Sequence, residues 1–211
     1  MILASASPRR AELLSQAGFE ITIEPADIDE SRLPHEHPLQ LVERLATGKA
    51  HASRAAHGAL AVGEVLLAAD TIVWEGTSAL GKPKDPEDAK AMLQRLSGKT
   101  HSVSTGVCLI VGAVDDAKTR SFVETTNVTF YTLSDDEIDA YVNSGEPMDK
   151  AGAYGIQGGA RLFVSGIDGD YSNVVGLPVA RVVRELSLLL EDPTLPARLI
   201  ARRPATRREE V

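Results

Sequence analysis

The sequence predicts a mixed α/β fold, and three observations carry that expectation. Short apolar or alternating runs recur between amphipathic stretches of helical period, from residue 1 to about residue 190. Two long segments, 100–111 and 121–133, are rich in Thr, Val, Phe and Tyr and flank an acidic turn at 114–118, a composition that suits a pleated sheet. No internal repeat is present, and no linker divides the chain into independent domains.

The totals exclude several functional classes. A chain of 211 residues can bury one substantial core. Its apolar runs fall well short of the ~18 residues expected of a membrane span. The net charge of −8 argues against a nucleic-acid-binding surface, though a nucleotide pocket needs only a local basic cluster. The single cysteine, Cys108, excludes an internal disulfide and a cysteine-rich metal site. At the start, a very short apolar run precedes Arg9 and Arg10, the reverse of a secretory signal. The expectation is a cytoplasmic chain with neither membrane nor nucleic acid as partner.

In chain order, residues 1–5 read as a short strand and residues 8–17 as a helix. Ser7 stands at its N-cap, Pro8 at its first position, Leu13, Leu14 and Ala17 on its core face, and Gly18 at its end. Arg9 and Arg10 oppose the helix dipole there. With Ser5, Ser7 and the free N–H groups they suggest an anion site; two surface arginines at a small penalty are the plain alternative. Residues 19–25 alternate as a second strand. The polar loop 26–38 carries Asp27, Asp29, Glu30 and Arg32, whose carboxylates either seek a metal or are merely solvated. Residues 39–54 form a helix with Leu41, Val42, Leu45, Ala46 and Ala50 inward; Lys49 falls late on it, where a C-terminal dipole contact is the simple account. His35, His37, His51 and His57 lack a metal-protease spacing and read as surface residues.

The stretch 65–84 is the unusual one. Residues 65–74 read as a buried strand, and Asp70 interrupts it. A buried carboxylate without a partner is very costly. A tight turn at 75–78 folds the chain back to Lys82 and Lys84, so Asp70 is either in a strand-end salt bridge or part of a site for a metal-bound phosphate. Asp85 caps a helix over 86–96, and Ser134 opens another that ends near 144. The segment 145–159, GEPMDKAGAYGIQGG, is glycine-rich and carries Glu146, Asp149, Lys150, Tyr154 and Gln157. Glycines there permit close backbone approach to a ligand. Residues 162–167 read as a strand, 168–170 as a turn and 178–190 as a closing amphipathic helix. From residue 191 to 211 the expectation is a flexible tail carrying Arg198, Arg202, Arg203, Arg207 and Arg208.

The commonest phosphate-binding and nucleophile signatures are missing: no GxxxxGK[ST], no strand-linked GxGxxG, no Gly-x-Ser-x-Gly elbow. In their place stand SASPRR at 5–10, DES at 29–31, GKA at 48–50, AADTIV at 68–73, GKPKD at 81–85 and DKAGAYGIQG at 149–158. Taken in that order, the set closely resembles the Maf family of nucleoside triphosphate pyrophosphatases, over residues 1 to about 190. The resemblance implies a fold related to the inosine triphosphate pyrophosphatases, with a long central mixed sheet flanked by helices and a cleft between two lobes. It implies cleavage of a nucleoside triphosphate to the monophosphate and pyrophosphate with a divalent cation, Mg²⁺ or Mn²⁺.

By motif position, Asp70 resembles the family's proton acceptor, with Lys82 and Glu30 beside it in catalysis and Asp70 and Glu30 toward the metal. Ser5, Arg9, Arg10, Lys49, Thr71 and Gln157 match positions that bind substrate. Arg9, Thr71 and Gln157 resemble the branch that prefers dTTP and UTP over 7-methyl-GTP, with modified pyrimidine triphosphates as further substrates. A glutamine amide, donor and acceptor together, suits the edge of uracil or thymine. The resemblance also implies a homodimer and raises a second reading, a non-enzymatic regulator of septum formation and cell division.

Overall fold

The computed structural model describes residues 1–202. Its strands are β1 (Ile2–Leu3), β2 (Thr22–Ile23), β3 (Val65–Glu75), β4 (Ser78–Leu80), β5 (Thr100–Val111), β6 (Lys118–Phe130) and β7 (Val164–Asp168). Its α-helices are α1 (Pro8–Gln16), α2 (Pro38–His57), α3 (Pro86–Leu96), α4 (Asp135–Asn143), α5 (Tyr171–Val175), α6 (Val179–Leu189) and α7 (Leu195–Arg202). The strands form one open mixed sheet in the order β2-β1-β3-β5-β6-β7, with β4 folded back onto the end of β3. The mixed α/β architecture expected from the sequence is therefore present.

β3 organises the sheet because its side chains alternate between two faces. Leu66, Ala68 and Ile72 meet α2 through Ala46, Ala50, Val42 and Leu45. Val65, Leu67 and Ala69 face the other way, against Leu14 of α1, Val182 and Leu186 of α6, and Leu195 and Leu199 of α7. Further along, Val73, Val103, Val128 and Phe130 pack with Leu93 and Leu96 of α3 and Ile138 and Tyr141 of α4. One edge of β3 is covered throughout by β5, in antiparallel register from Val65↔Val111 to Trp74↔Ser102. The other edge is covered only at its ends. β1 pairs in parallel up to Leu3↔Leu67, and β4 resumes at Val73↔Leu80. Among the described residues no strand covers Ala69–Ile72 on that side, so both faces of β3 reach the opening.

Several elements differ from the sequence expectation. β2 is two exposed residues, since the two-residue β1 offers no longer ladder. α2 runs on to His57, and His37 is more than a surface residue: its ring accepts from the Leu39 N–H as the N-cap and packs edge-on against Trp74. β6 begins inside the expected turn, while β7 starts late because Gly159–Phe163 coils into a 3₁₀ turn. α5 follows directly on the expected turn, with Asp170 accepting from the Ser172 N–H as its cap. The tail is also not unpacked through 195–202. α7 buries Leu195 and Leu199 against the α6 side of the core, and Asp192 accepts from the Thr194 N–H and pairs with Arg198. Arg203, Arg207 and Arg208 lie outside the described residues. Among the described residues no helix is long and apolar enough to cross a membrane.

Candidate active site

The bare edge of β3 opens into a cleft of about 750 Å³ whose lining includes Ser5, Arg9, Arg10, Glu30, Lys49, Asp70, Thr71, Lys82 and Gln157. The nine residues that the resemblance placed in catalysis or substrate binding thus line one cavity, from six separate stretches of chain.

Asp70 points to the α2 face of β3. α2 sends Lys49 to meet it, because residues 42, 45, 46 and 49 share one helical face. Lys49 Nζ lies 2.7 Å from Asp70 Oδ1 and 2.6 Å from Glu30 Oε1. An ammonium that is only 9% exposed needs such partners. Lys49 is therefore not a helix-end surface lysine, and the partner of Asp70 is not a lysine of its own hairpin. Lys82 is exposed at the cleft and makes no ion pair among the described residues.

The loop bearing Glu30 is pinned on both sides. Arg44 of α2 grips Glu36 through Nε–Oε1 at 2.6 Å and Nη2–Oε2 at 2.9 Å, and donates to the Ser31 carbonyl. Arg32 donates to the Glu36 and Thr77 carbonyls, tying the loop to the β3–β4 hairpin. The hydrogen bonds from Arg44 outweigh burial and hold the Glu36 carboxyl at about 2, below its ordinary 4.5. A carboxyl whose folded-state pKa is depressed contributes stability that is present above the unfolded pKa and lost as pH falls toward the folded one. Glu36→Gln is accordingly expected to flatten the fall in Tm between about pH 4.5 and pH 2. Thermal melts at pH 7, 4.5 and 3 check this; an unchanged acid slope in the variant would contradict it.

Thr71, one residue on, faces α1 and α5. Arg10 Nη2 donates to Thr71 Oγ1 at 3.0 Å, Nη1 to Ser5 Oγ at 2.9 Å and Nε to the Gly176 carbonyl at 2.9 Å. Burial lowers the Arg10 pKa from its ordinary value, with the Asp70 charge acting against it. The fork toward phosphate expected of Arg10 is thus turned inward: all three of its nitrogens brace α1, β3 and the α5 turn. Arg9 is the arginine nearer the cleft mouth, its Nη2 3.7 Å from Asp149 Oδ2. Ser7 occupies the N-cap of α1 without a side-chain cap bond, leaving first-turn N–H groups for an anion.

The glycine-rich segment closes the cleft from the far side. Its first turns, Glu146–Asp149 and Ala151–Ala153, are 3₁₀. The Gly152 N–H donates to the Gly81 carbonyl at 3.0 Å, which ties Gln157's loop to the residue before Lys82. Gly152 has φ +69°, and a Cβ there would stand 2.8 Å from Val73 Cγ1, so both conformation and space require glycine. His101, not singled out from the sequence, is buried beneath this loop with Nε2 2.8 Å from the Tyr154 hydroxyl; burial pushes its pKa down to about 4. A histidine at the alternate positions that also carry Val103, Val107 and Leu109 was the available signal.

For a divalent cation, the described residues contain no cluster of three or more His, Cys, Asp or Glu side chains. Glu30 and Asp70 nevertheless converge on one point, the Lys49 ammonium. Two carboxylates completed by substrate phosphate and water suit Mg²⁺, which seldom takes an all-protein cage. The donor set fits.

Comparison with known proteins bears on the family of the chain. The model of the family described as Maf-like protein matches residues 1–189. Among curated relatives, a protein of Koribacter versatilis (strain Ellin345) named dTTP/UTP pyrophosphatase is 50% identical over 184 residues, covering 87% of this chain and 91% of that protein. A protein of the same name from Bacillus cytotoxicus is 49% identical over 185 residues, covering 88% and 93%. Another from Agathobacter rectalis is 47% identical, covering 90% and 97%.

Proposed function

The chain belongs to the Maf family, and on that premise we propose that it hydrolyses dTTP and UTP to the nucleoside monophosphate and pyrophosphate. The observation that carries the reading is the convergence of Asp70, Lys49 and Glu30 on one side of a cleft whose other walls bear Arg9, Lys82 and Gln157. A lone structural ion pair would need none of the latter three.

In this reading Asp70 orients a water and takes its proton as the oxygen attacks the α-phosphorus. The bond from that phosphorus to the α–β bridging oxygen breaks, and pyrophosphate leaves. Lys82 and Arg9 neutralise phosphate charge. The first-turn N–H groups of α1 cradle a phosphate oxygen. Lys49 offsets the repulsion between the two carboxylates, keeping both in place. A divalent cation, Mg²⁺ or Mn²⁺ by the chemistry of oxygen donors, would be held by Glu30, Asp70 and phosphate oxygens, and supplies charge stabilisation to the leaving pyrophosphate. Arg10 acts by fixing Thr71 and Ser5 rather than by gripping phosphate. The Gln157 amide pairs with the O4 and N3–H edge of uracil or thymine. Modification at C5 leaves that edge intact, which makes 5-substituted pyrimidine triphosphates further substrates.

The test is pyrophosphate release from dTTP, UTP, CTP, GTP and 7-methyl-GTP with Mg²⁺ and with Mn²⁺. The expected result is the highest kcat/KM for dTTP and UTP. A maximum at 7-methyl-GTP would overturn the base assignment, and release from no triphosphate with either metal would turn the reading to a non-catalytic regulator.

A further inference from the structure

The turn that presents Gln157 is gripped by a side chain outside the machinery described so far. The Gly158 N–H donates to the Gly155 carbonyl at 3.0 Å, closing a β-turn in which Gln157 is the third residue. Both ends of that turn are tied to one pair of side chains. The Gly155 N–H donates to Tyr141 Oη at 3.0 Å, and the Gly159 N–H donates to Glu146 Oε2 at 2.9 Å. Tyr141 Oη in turn donates to Glu146 Oε1 at 3.1 Å. Burial, aided by the Glu146 charge, pushes the Tyr141 phenol up from its ordinary pKa, so it remains a donor.

The glycines make room for this carboxylate. A Cβ on Gly158 would stand 1.8 Å from Glu146 Oε1 and 2.4 Å from its Cδ. Gly158 has a negative φ of −99°, so the approach of Glu146, not left-handed backbone, is what excludes a side chain there. Glu146 is itself fixed: its N–H donates to Ser144 Oγ, its carbonyl accepts from Lys150 Nζ at 2.6 Å, and Tyr141 is anchored edge-on against Phe163.

We propose that Glu146 is a positioning residue for base selection, setting where Gln157 stands by clamping the turn 155–159 without touching the nucleotide. This rests on Gln157 as the base-reading residue. A neighbouring carboxylate is the right group for the task, since it accepts from a backbone N–H and a phenol at once through two oxygens.

The experiment measures kcat and KM for UTP and CTP, together with Tm, in five variants. Gln157→Ala should lose most of the UTP/CTP discrimination. Glu146→Ala should raise KM for UTP about tenfold, the order for one or two hydrogen bonds lost, with kcat little changed and discrimination reduced toward that of Gln157→Ala. Glu146→Gln, which keeps an acceptor for the Gly159 N–H at the same size, should retain most of it. Gly158→Ala should resemble Glu146→Ala, because its Cβ displaces the carboxylate; it also carries the test if Glu146→Ala fails to fold. In the double variant the new Cβ enters vacated space, so the two losses should not add. Discrimination lost in Gln157→Ala but kept in both Glu146→Ala and Gly158→Ala overturns this inference alone. Discrimination kept in Gln157→Ala overturns the base assignment and this inference with it. Equal losses on UTP and CTP with a large fall in Tm would make Glu146 a purely structural residue, which also overturns it.

Discussion

Asp70→Asn is expected to cut pyrophosphate release from UTP by ~10²–10⁴, the usual contribution of a general base, while nucleotide affinity changes little. The substitution is nearly isosteric. The Asn carbonyl can still accept from Lys49 Nζ, now 2.7 Å from Asp70 Oδ1, so Lys49 and, through it, Glu30 keep their places. What disappears is the ability to take a proton from water. Single-turnover rates report the chemical step, and titration with a non-hydrolysable UTP analogue reports binding, so the two effects separate. A variant with undiminished turnover sinks the assignment. A raised KM with unchanged kcat would instead make Asp70 a binding group. Asp70→Ala is the less informative change, because among the described residues it leaves the buried Lys49 with Glu30 as its one remaining carboxylate and mixes lost chemistry with a rearranged cleft.

Asp70 was legible because a carboxylate inside a buried apolar run breaks the binary pattern of a core strand. Its partner was legible in part. Lys49 falls on the face of α2 that buries Val42, Leu45 and Ala46, a violation of the same kind, but a dipole contact explained it equally well until α2 was seen lying on β3. Arg10 shows a different limit. Its position against the helix dipole suggested an anion site, yet the guanidinium is spent on protein acceptors, and beside Ser5 these are Thr71 and Gly176, 61 and 166 residues away. Such long-range closure is set by topology, and no local signal encodes it. The glycine-rich segment announced itself by composition, while the carboxylate filling its hollow did not. The long strands and capped helices read cleanly from period and cap residues. α7 did not, since two leucines four residues apart reveal a helix only once there is a groove to receive them.

Gly106→Ala is expected to destabilise the protein more than any exposed substitution, and to do so through the same site. Gly106 is the cross-strand partner of Asp70 in the β3–β5 ladder, so an added Cβ points to the face that α2 covers. It would stand 2.2 Å from the Val42 carbonyl oxygen, 2.5 Å from its carbon and 2.9 Å from the Glu43 nitrogen. These are backbone atoms, and no rotamer change relieves the clash. α2 must rise by roughly 1 Å to restore ordinary contact. Overpacking of this kind costs typically ~1–3 kcal/mol. For a chain of this size the upper end corresponds to a fall in Tm of roughly 6–12 °C. Lys49 lies two helical turns beyond Val42 on the same face, so a raised α2 lifts the ammonium from Asp70 and Glu30. Turnover should therefore fall even well below the new Tm. Gly166→Ala in β7 is the control, because a Cβ there meets nothing within 4 Å, and its stability should stay within ~0.5 kcal/mol of the parent. Parental Tm and turnover in Gly106→Ala would mean that α2 can settle on the sheet without this glycine. A lowered Tm with parental turnover would mean instead that the grip of Lys49 on Asp70 does not depend on how deeply α2 lies.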